Sequence, residues 1–330
     1  MNRRTLLKTG GFAALAAMAP SSIFAKTHKQ LILTDRKLSG FKQLKLGTLD
    51  LFVLSDGYIR DKNVDAYSPR ANVAELKKIL KDNFRPDGYI DMAMNVLLVK
   101  TADRLILFDS GMGIFADENT GVVLKSLEEA GFKAGQITDV FISHAHPDHI
   151  GGLVDKNDSL IYPNAKYHIS KIEFDFWMKA TESDFKNSAL VNQLDFLKTL
   201  FPALRKILKK IEPSISYYNY QEPLYKDFTF QPAPGHTPGM TLTRIKSGNE
   251  ELLVVADLIH NDVILFPHPE WGFSGDTDLD IAVTSRRKIL QQLAETKVRA
   301  IGYHLPWPGT GYVKKTGKEF EWLQEPFYTA

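Results

Sequence analysis

Three imidazoles and a carboxylate fall within six residues in Ser143-His144-Ala145-His146-Pro147-Asp148-His149, directly after the apolar run Val140-Phe141-Ile142. Histidine is otherwise scarce, at nine in 330 residues, so the clustering asks for a chemical cause. Neutral imidazole and carboxylate together suit zinc and similar first-row divalent ions, and short spacing lets one loop supply several ligands. Such an ion lowers the pKa of bound water from about 15.7 to about 7, worth about 12 kcal/mol at about 1.36 kcal/mol per unit. Hydroxide then becomes available at neutral pH without a protein nucleophile. The sequence offers no rival to it, having neither a Gly-x-Ser-x-Gly elbow nor any cysteine.

A loop of ligands needs a rigid support, and Ile137 to Ile142 reads as a buried strand whose C-terminal end delivers it, where sites of α/β sheets lie. Val122 to Ala130 reads as the helix before that strand, and Ile150-Gly151-Gly152-Leu153 as the turn after it, which is βαβ organisation. Upstream, Leu46 to Leu54 alternates into Ser55-Asp56-Gly57, a strand and turn. The loop from Gly57 to Arg70 is long enough to line a pocket edge, and Asn72 to Leu80 is an amphipathic helix. Asn95 to Lys100 and Arg104 to Phe108 make a hairpin ending in Asp109-Ser110-Gly111. Ala165 to Ile169 is a short strand whose His168 is expected to be a packed structural histidine. Ile172 to about Ile211 is helical in pattern, followed by strands at Phe228 to Gln231, Met240 to Ile245 and Leu252 to Ala256. A helix from about Ala282 to Thr296 leads to a last strand, Arg299 to Tyr303, and the tail carries no assigned element. No linker rich in Pro, Gly or Ser interrupts the body, so it reads as one domain of two similar halves.

The string His144-x-His146-x-Asp148-His149 resembles the signature of the metallo-β-lactamase superfamily, and three further positions match that family's remaining ligands in order. They are His236 in Gly235-His236-Thr237-Pro238-Gly239, Asp257 after Leu252-Leu253-Val254-Val255-Ala256, and His304 after Ile301-Gly302-Tyr303. The resemblance runs from about Leu46 to Pro308 and implies an α/β fold, a four-layer αβ/βα sandwich, with residues 46–330 as the catalytic domain. It also implies two divalent ions, with zinc the leading choice and manganese, iron and cobalt open. By this analogy His144, His146 and His236 hold the first ion, Asp148, His149 and His304 the second, and Asp257 bridges them. Asp148 and Asp257 are the expected catalytic carboxylates, working with a hydroxide shared by the metals. Asp109-Ser110-Gly111 resembles the family's Asp-Thr-Gly, so Asp109 would brace the metal loop by orienting its imidazoles. A turn-initiating Asp is the plainer alternative.

Retention of Asp148 and the lack of a cysteine ligand align the chain with the superfamily's two-metal hydrolases. Gly235 to Gly239, Ala256-Asp257-Leu258 and His304-Leu305-Pro306 look most like exported methyl parathion hydrolase-type enzymes, with acyl homoserine lactone lactonases as the alternative. By that similarity Phe115, Trp177, Phe196 and Leu258 line an apolar pocket, with packing in the core the plainer alternative for each. The substrate would be an uncharged small molecule: an organophosphate triester, an aryl ester or a lactone. The reading from another class, a non-catalytic metal-binding protein, is disfavoured because seven ligands around two ions leave room for a bridging hydroxide.

Residues 1–25 have a basic start, an apolar middle from Phe12 to Met18 and Ala25 at a plausible cleavage point, and they read as an export signal. Asn2-Arg3-Arg4-Thr5-Leu6-Leu7-Lys8 resembles a twin-arginine signal, with Sec export open, so the mature protein is expected in the periplasm or secreted. The apolar run falls short of the ~20 residues that cross a bilayer, which argues against a membrane span. Residues 26–45 read as a linker. The formal charge is +2, and removing Arg3, Arg4 and Lys8 with the signal leaves the rest near neutral. No basic patch with interleaved aromatics appears, so no nucleic-acid partner is expected. The sequence says nothing of the oligomeric state.

Overall fold

The computed structural model describes residues 38–327. The expected signal at 1–25 and most of the expected linker, through residue 37, lie outside the described residues. The linker's end differs from expectation: β1 (Phe41–Leu46) pairs antiparallel with β2 (Leu49–Asp61), burying Leu44 and Leu46. Its alternation of Leu44 and Leu46 with lysines is the period-two pattern of a half-buried edge strand.

Next come α1 (Val64–Tyr67), α2 (Val73–Asp82), β3 (Ile90–Lys100) and β4 (Leu105–Phe108). Asn72 caps α2 by accepting from the Ala74 and Glu75 amides, and Leu76 and Leu80, one turn apart, bury its inner face. The helix α3 (Val123–Glu129) crosses over to β5 (Asp139–Phe141), and α4 (Pro147–Ile150) follows the metal-type loop. Then come β6 (Lys166–Ile169), α5 (Lys171–Lys179), α6 (Leu194–Ile211) and β7 (Ile215–Tyr217). The first sheet is ordered β1 to β7, antiparallel through β4 and parallel from β4 to β7.

The second half runs β8 (Phe228–Pro232), β9 (Thr241–Ser247), β10 (Glu250–Ala256), α7 (Leu279–Thr296), β11 (Arg299–Gly302), β12 (Thr310–Thr316) and β13 (Glu319–Gln324). These strands form a six-stranded sheet in which only β10 and β11 pair in parallel, joined through α7. The unassigned tail is the antiparallel hairpin β12–β13, turning at Gly317 with positive φ.

Side-chain alternation along these strands divides the interior into three apolar cores, one for each interface of a four-layer αβ/βα sandwich. On β3, Val96 and Leu98 face α3, α5 and α6, while Leu97 and Val99 face the other sheet. On β10, Leu253 and Val255 pack with Ile289, Leu290 and Leu293 of α7, whereas Leu252 joins Phe141, Phe228 and Ile245 between the sheets. This arrangement leaves the C-terminal ends of β4, β5, β10 and β11 at one rim.

Candidate metal centre

Two of those strand ends turn sharply. Asp109, just after β4, and Ala256, at the end of β10, have φ of 62° and 45°. Left-handed backbone costs a non-glycine residue roughly 1–3 kcal/mol, and such outliers persist where the surrounding structure requires them. Each kink places a carboxylate, Asp109 itself or Asp257 next in the chain, beneath the loops that carry the imidazoles.

The seven residues expected as ligands converge as two buried groups: His144, His146, His236 and Asp257, then Asp148, His149, Asp257 and His304, each with ligand atoms within 4.8 Å of one another. Asp257 belongs to both. Its Oδ2 lies 3.3 Å from His236 Nε2 and 3.2 Å from His304 Nε2, and its Oδ1 lies 3.1 Å from His149 Nε2. His146 Nδ1 lies 3.1 Å from His144 Nε2 and 2.9 Å from His236 Nε2, and Asp148 Oδ2 lies 3.2 Å from His304 Nε2.

The far side of four rings is tied to the protein. His149 Nδ1 donates to Asp109 Oδ2 at 2.8 Å, His236 Nδ1 to Asp276 Oδ1 at 3.1 Å, and His304 Nδ1 to the Ala93 carbonyl at 2.9 Å. Ser143 Oγ donates to Asp109 Oδ2 at 2.8 Å and stands 3.0 Å from His144 Nδ1, from which it accepts. These partners fix the Nδ1–H tautomer, so each Nε2 lone pair faces the centre. Asp109 therefore lies where the brace was expected: its Oδ1 also accepts from the Ser143 amide at 2.8 Å.

Within the centre, His149 Nε2 and Asp257 Oδ1 are buried without a hydrogen-bond partner. Unsatisfied buried polar atoms are costly, at about 1–3 kcal/mol each, and this pair is what a cation would satisfy. The donor set of imidazole nitrogens and carboxylate oxygens fits two divalent metals. Burial disfavours charge on His144 and His146, and neighbouring imidazoles hold both well below the usual histidine range. Burial also opposes charge on His149 and His304, but Asp257 and Asp148 outweigh it, raising His149 and pushing His304 up to about 10. Burial works against the ionised carboxyls of Asp148 and Asp257 too, yet His149 and His304 keep both well below the carboxylate range. The carboxylates thus stand ready as anions, and an arriving cation displaces imidazole protons.

Three residues with no part in the sequence reading hold the centre together. Glu173 of α5 is fully buried: its Oε1 accepts from the Ala145 amide at 2.9 Å and Trp177 Nε1 at 2.6 Å, and its Oε2 from Thr237 Oγ1 at 2.7 Å and the Gly239 amide at 2.9 Å. It joins the loop of His144 and His146 to the loop of His236. A Cβ at Gly239 would stand 2.2 Å from the Glu173 amide nitrogen, so only glycine allows this approach. Asp276, paired with buried Arg286 at 3.1 Å, orients His236. His260 donates from Nε2 to Asp257 Oδ2 at 3.1 Å and stacks on Phe273 at 3.7 Å. Burial drives its pKa down to about 3 despite Asp257, so it is a neutral donor. Glu173, one turn before Trp177 on α5, stands between the charged residues Lys171 and Asp175, from which the sequence does not set it apart. The Asp276–Arg286 pair joins a loop to a helix and leaves no trace in spacing.

A cavity of about 380 Å³ opens on the centre, with His146, Pro147 and Asp148 at its base and Leu190, Phe196, Leu200 and Phe273 among its walls. Of the four expected pocket residues only Phe196 lines it. Trp177 is fully buried behind His146, with ring centroids 5.5 Å apart, and Leu258 lies in the core beneath α7. Phe115 packs against Gly151 and the first core rather than the cavity. Their apolar bulk met a stronger demand for core packing. The Gly57 to Arg70 segment does reach the cavity, through Asp61, Asn63 and Ala66, although β2 takes up its first residues.

The sequence profile of the metallo-beta-lactamase superfamily matches residues 91–303, and the chain belongs to that superfamily. Over 101 residues it is 28% identical to probable metallo-hydrolases of Mycobacterium bovis and Mycobacterium tuberculosis, covering 26% of this chain and 31% of theirs. The match thus spans under a third of those curated relatives. Among solved structures, the chain is 62% identical to AidC, a dizinc quorum-quenching lactonase in complex with the product N-hexanoyl-L-homoserine, with a TM-score of 0.88, covering 89% of this chain and 100% of that one. The hydrolase AbOPH is 23% identical with a TM-score of 0.80, covering 89% and 100%, and shares the fold.

Proposed function

We propose that this metallo-β-lactamase superfamily hydrolase opens the ring of N-acyl-homoserine lactones. The observation that carries the reading is a mostly apolar cavity ending on both ligand groups, and the 62% identity to a dizinc lactonase supports the substrate class. His144, His146 and His236 would hold one divalent metal, Asp148, His149 and His304 the other, and Asp257 both, with zinc the first choice. When bound, such a pair supplies hydroxide at neutral pH and polarises the ester carbonyl. The chain's own contribution is positional. Asp109, Asp276 and the Ala93 carbonyl fix the rings, and Glu173 fixes the spacing of two ligand loops. Leu190, Phe196 and Leu200 give an acyl chain a dry wall. Asp148, the one carboxylate of the ligand set that also faces the cavity, is held as an anion where it could take a proton from the attacking water and pass it to the leaving ring oxygen. The test is kcat/KM over N-hexanoyl-homoserine lactone, an aryl ester, an aryl phosphotriester and a cephalosporin. The lactone should lead by at least about tenfold, or 1.4 kcal/mol of transition-state discrimination. A phosphotriester leading instead would return the reading to the methyl parathion hydrolase type.

Export through the N-terminal segment, with the mature enzyme in the periplasm or secreted, is part of the same proposal. It rests on the Arg3-Arg4 pair and the apolar run after it. Among the described residues no helix is long and apolar enough to cross a membrane. Replacing both arginines by lysine should hold the precursor in the cytoplasm, measured as the exported fraction, and unchanged export would assign the signal to Sec.

A further inference from the structure

The cavity wall carries a charge with no part in the ligand set. Asp61, the last residue of β2, lines the cavity with His146 and Asp148, and among the described residues no lysine or arginine lines it. Its Oδ1 accepts from the Asn63 amide at 2.7 Å, which fixes the side chain, and among the described residues it forms no ion pair. The other acid lining the cavity, Asp148, belongs to the ligand set. Asp61 is thus an unneutralised carboxylate on the wall of a pocket whose remaining surface is mostly apolar.

Resting on the lactonase reading, the chemistry gives that charge a task. Water adds to the ester carbonyl, the ring C–O bond breaks, one proton ends on the released hydroxyl and one leaves to solvent as the new acid ionises. An uncharged substrate becomes an anion inside the cavity, and a pair of cations at its base would hold that anion. We propose that Asp61 is a specificity-determining residue that sets the charge preference of the cavity, disfavouring anionic ligands, the reaction's own carboxylate product included, relative to neutral ones. Two like charges about 10 Å apart, at an effective dielectric between protein surface and water, shift binding roughly threefold to tenfold.

The test is calorimetric binding of N-hexanoyl-homoserine and its neutral primary amide to the metal-loaded protein. Asp61→Asn, which keeps an acceptor for the Asn63 amide, should raise the affinity ratio of anion to amide roughly threefold to tenfold, and the gain should shrink in 1 M salt, where the Debye length falls to about 3 Å. Asp61→Glu should keep the wild-type ratio. An unchanged ratio in Asp61→Asn, or the same change in Asp61→Glu, overturns the proposal. Hexanoate against hexanamide reads the same preference without reference to lactones. If wild type fails to open the lactone, the lactonase reading falls alone and this pair of probes still decides the role of Asp61.

Discussion

Buried imidazole meets buried carboxylate at both ends of β5, with opposite outcomes. At its start, Asp139 takes His168 Nε2 at 2.9 Å and the Tyr225 hydroxyl at 2.7 Å on Oδ1, and Thr138 Oγ1 at 2.8 Å and Arg104 Nη1 at 3.1 Å on Oδ2. Both oxygens are spent on protein donors, and Arg104 also lies over the Tyr225 ring at 3.8 Å. Beyond its end, His149 gives one nitrogen to Asp109 and turns the other, unpartnered, toward Asp257 Oδ1, itself unpartnered. Residue type does not separate a structural histidine from a ligand. What separates them is whether the network closes on itself or leaves several lone pairs aimed at one point.

The open end should fail first and most completely. Wild type should carry about two divalent metals per chain, and Asp257→Ala, which touches both groups, should leave less than one and lower kcat/KM by at least about a thousandfold, some 4 kcal/mol. Metal analysis of the purified protein with an assay before and after chelation measures both. Two tightly held metals in Asp257→Ala would remove Asp257 from its shared position. Glu173→Gln tests the open end from behind. An amide cannot accept on both sides, so it must set a donor against the Ala145 or the Gly239 amide and loosen one ligand loop. Supporting groups of this kind are worth about 10- to 100-fold in metal affinity or activity. Retained stoichiometry with weakened affinity, read by competition with a chromogenic chelator, is the expected result, and unaltered affinity would make Glu173 a packing residue only.

The comparison also explains what the sequence disclosed. His144 to His149 was legible because one loop supplies four ligands, and the strand before it had to be buried. His236, Asp257 and His304 lie far from it in sequence, and only their match to a known order joined them to it. The four layers came with the resemblance; the continuous apolar run Val96 to Val99 told only of a strand buried on both faces. Glu173, Asp276 and His260 stayed hidden because their meaning lies in contacts across 28 to 66 residues, or in a stacking geometry that spacing does not encode. Phe115, Trp177 and Leu258 took the core alternative to the pocket: large apolar residues near a site serve its supporting core as readily as its pocket. The strand at Phe41–Leu46 and the hairpin after Thr310 were missed because short strands at a sheet's margin, broken by exposed charges such as Lys45, Lys314 and Glu321, look like loops.

The closed end should respond in stability and not in metal. Burial pushes Asp139 up, but donors from His168, Tyr225 and Thr138 outweigh it and bring its pKa to about 2, from an ordinary 3.8. A depressed carboxyl contributes stability that is fully present above its unfolded value and is lost as pH falls through the folded one. The window is therefore about pH 4 to 2, and the shift corresponds to about 2 kcal/mol. Asp139→Asn should cost about that much at neutral pH, and its deficit against wild type should shrink toward pH 2, where wild-type Asp139 is itself protonated. The metal centre also answers to acid, but it is shared by both proteins, so the difference between their urea midpoints isolates Asp139. Metal content should remain about two per chain in Asp139→Asn and in His168→Ala. Metal lost from His168→Ala as fully as from His149→Ala, or a stability deficit flat between pH 6 and 2, would show that the two ends of β5 are not the distinct networks their hydrogen bonds describe.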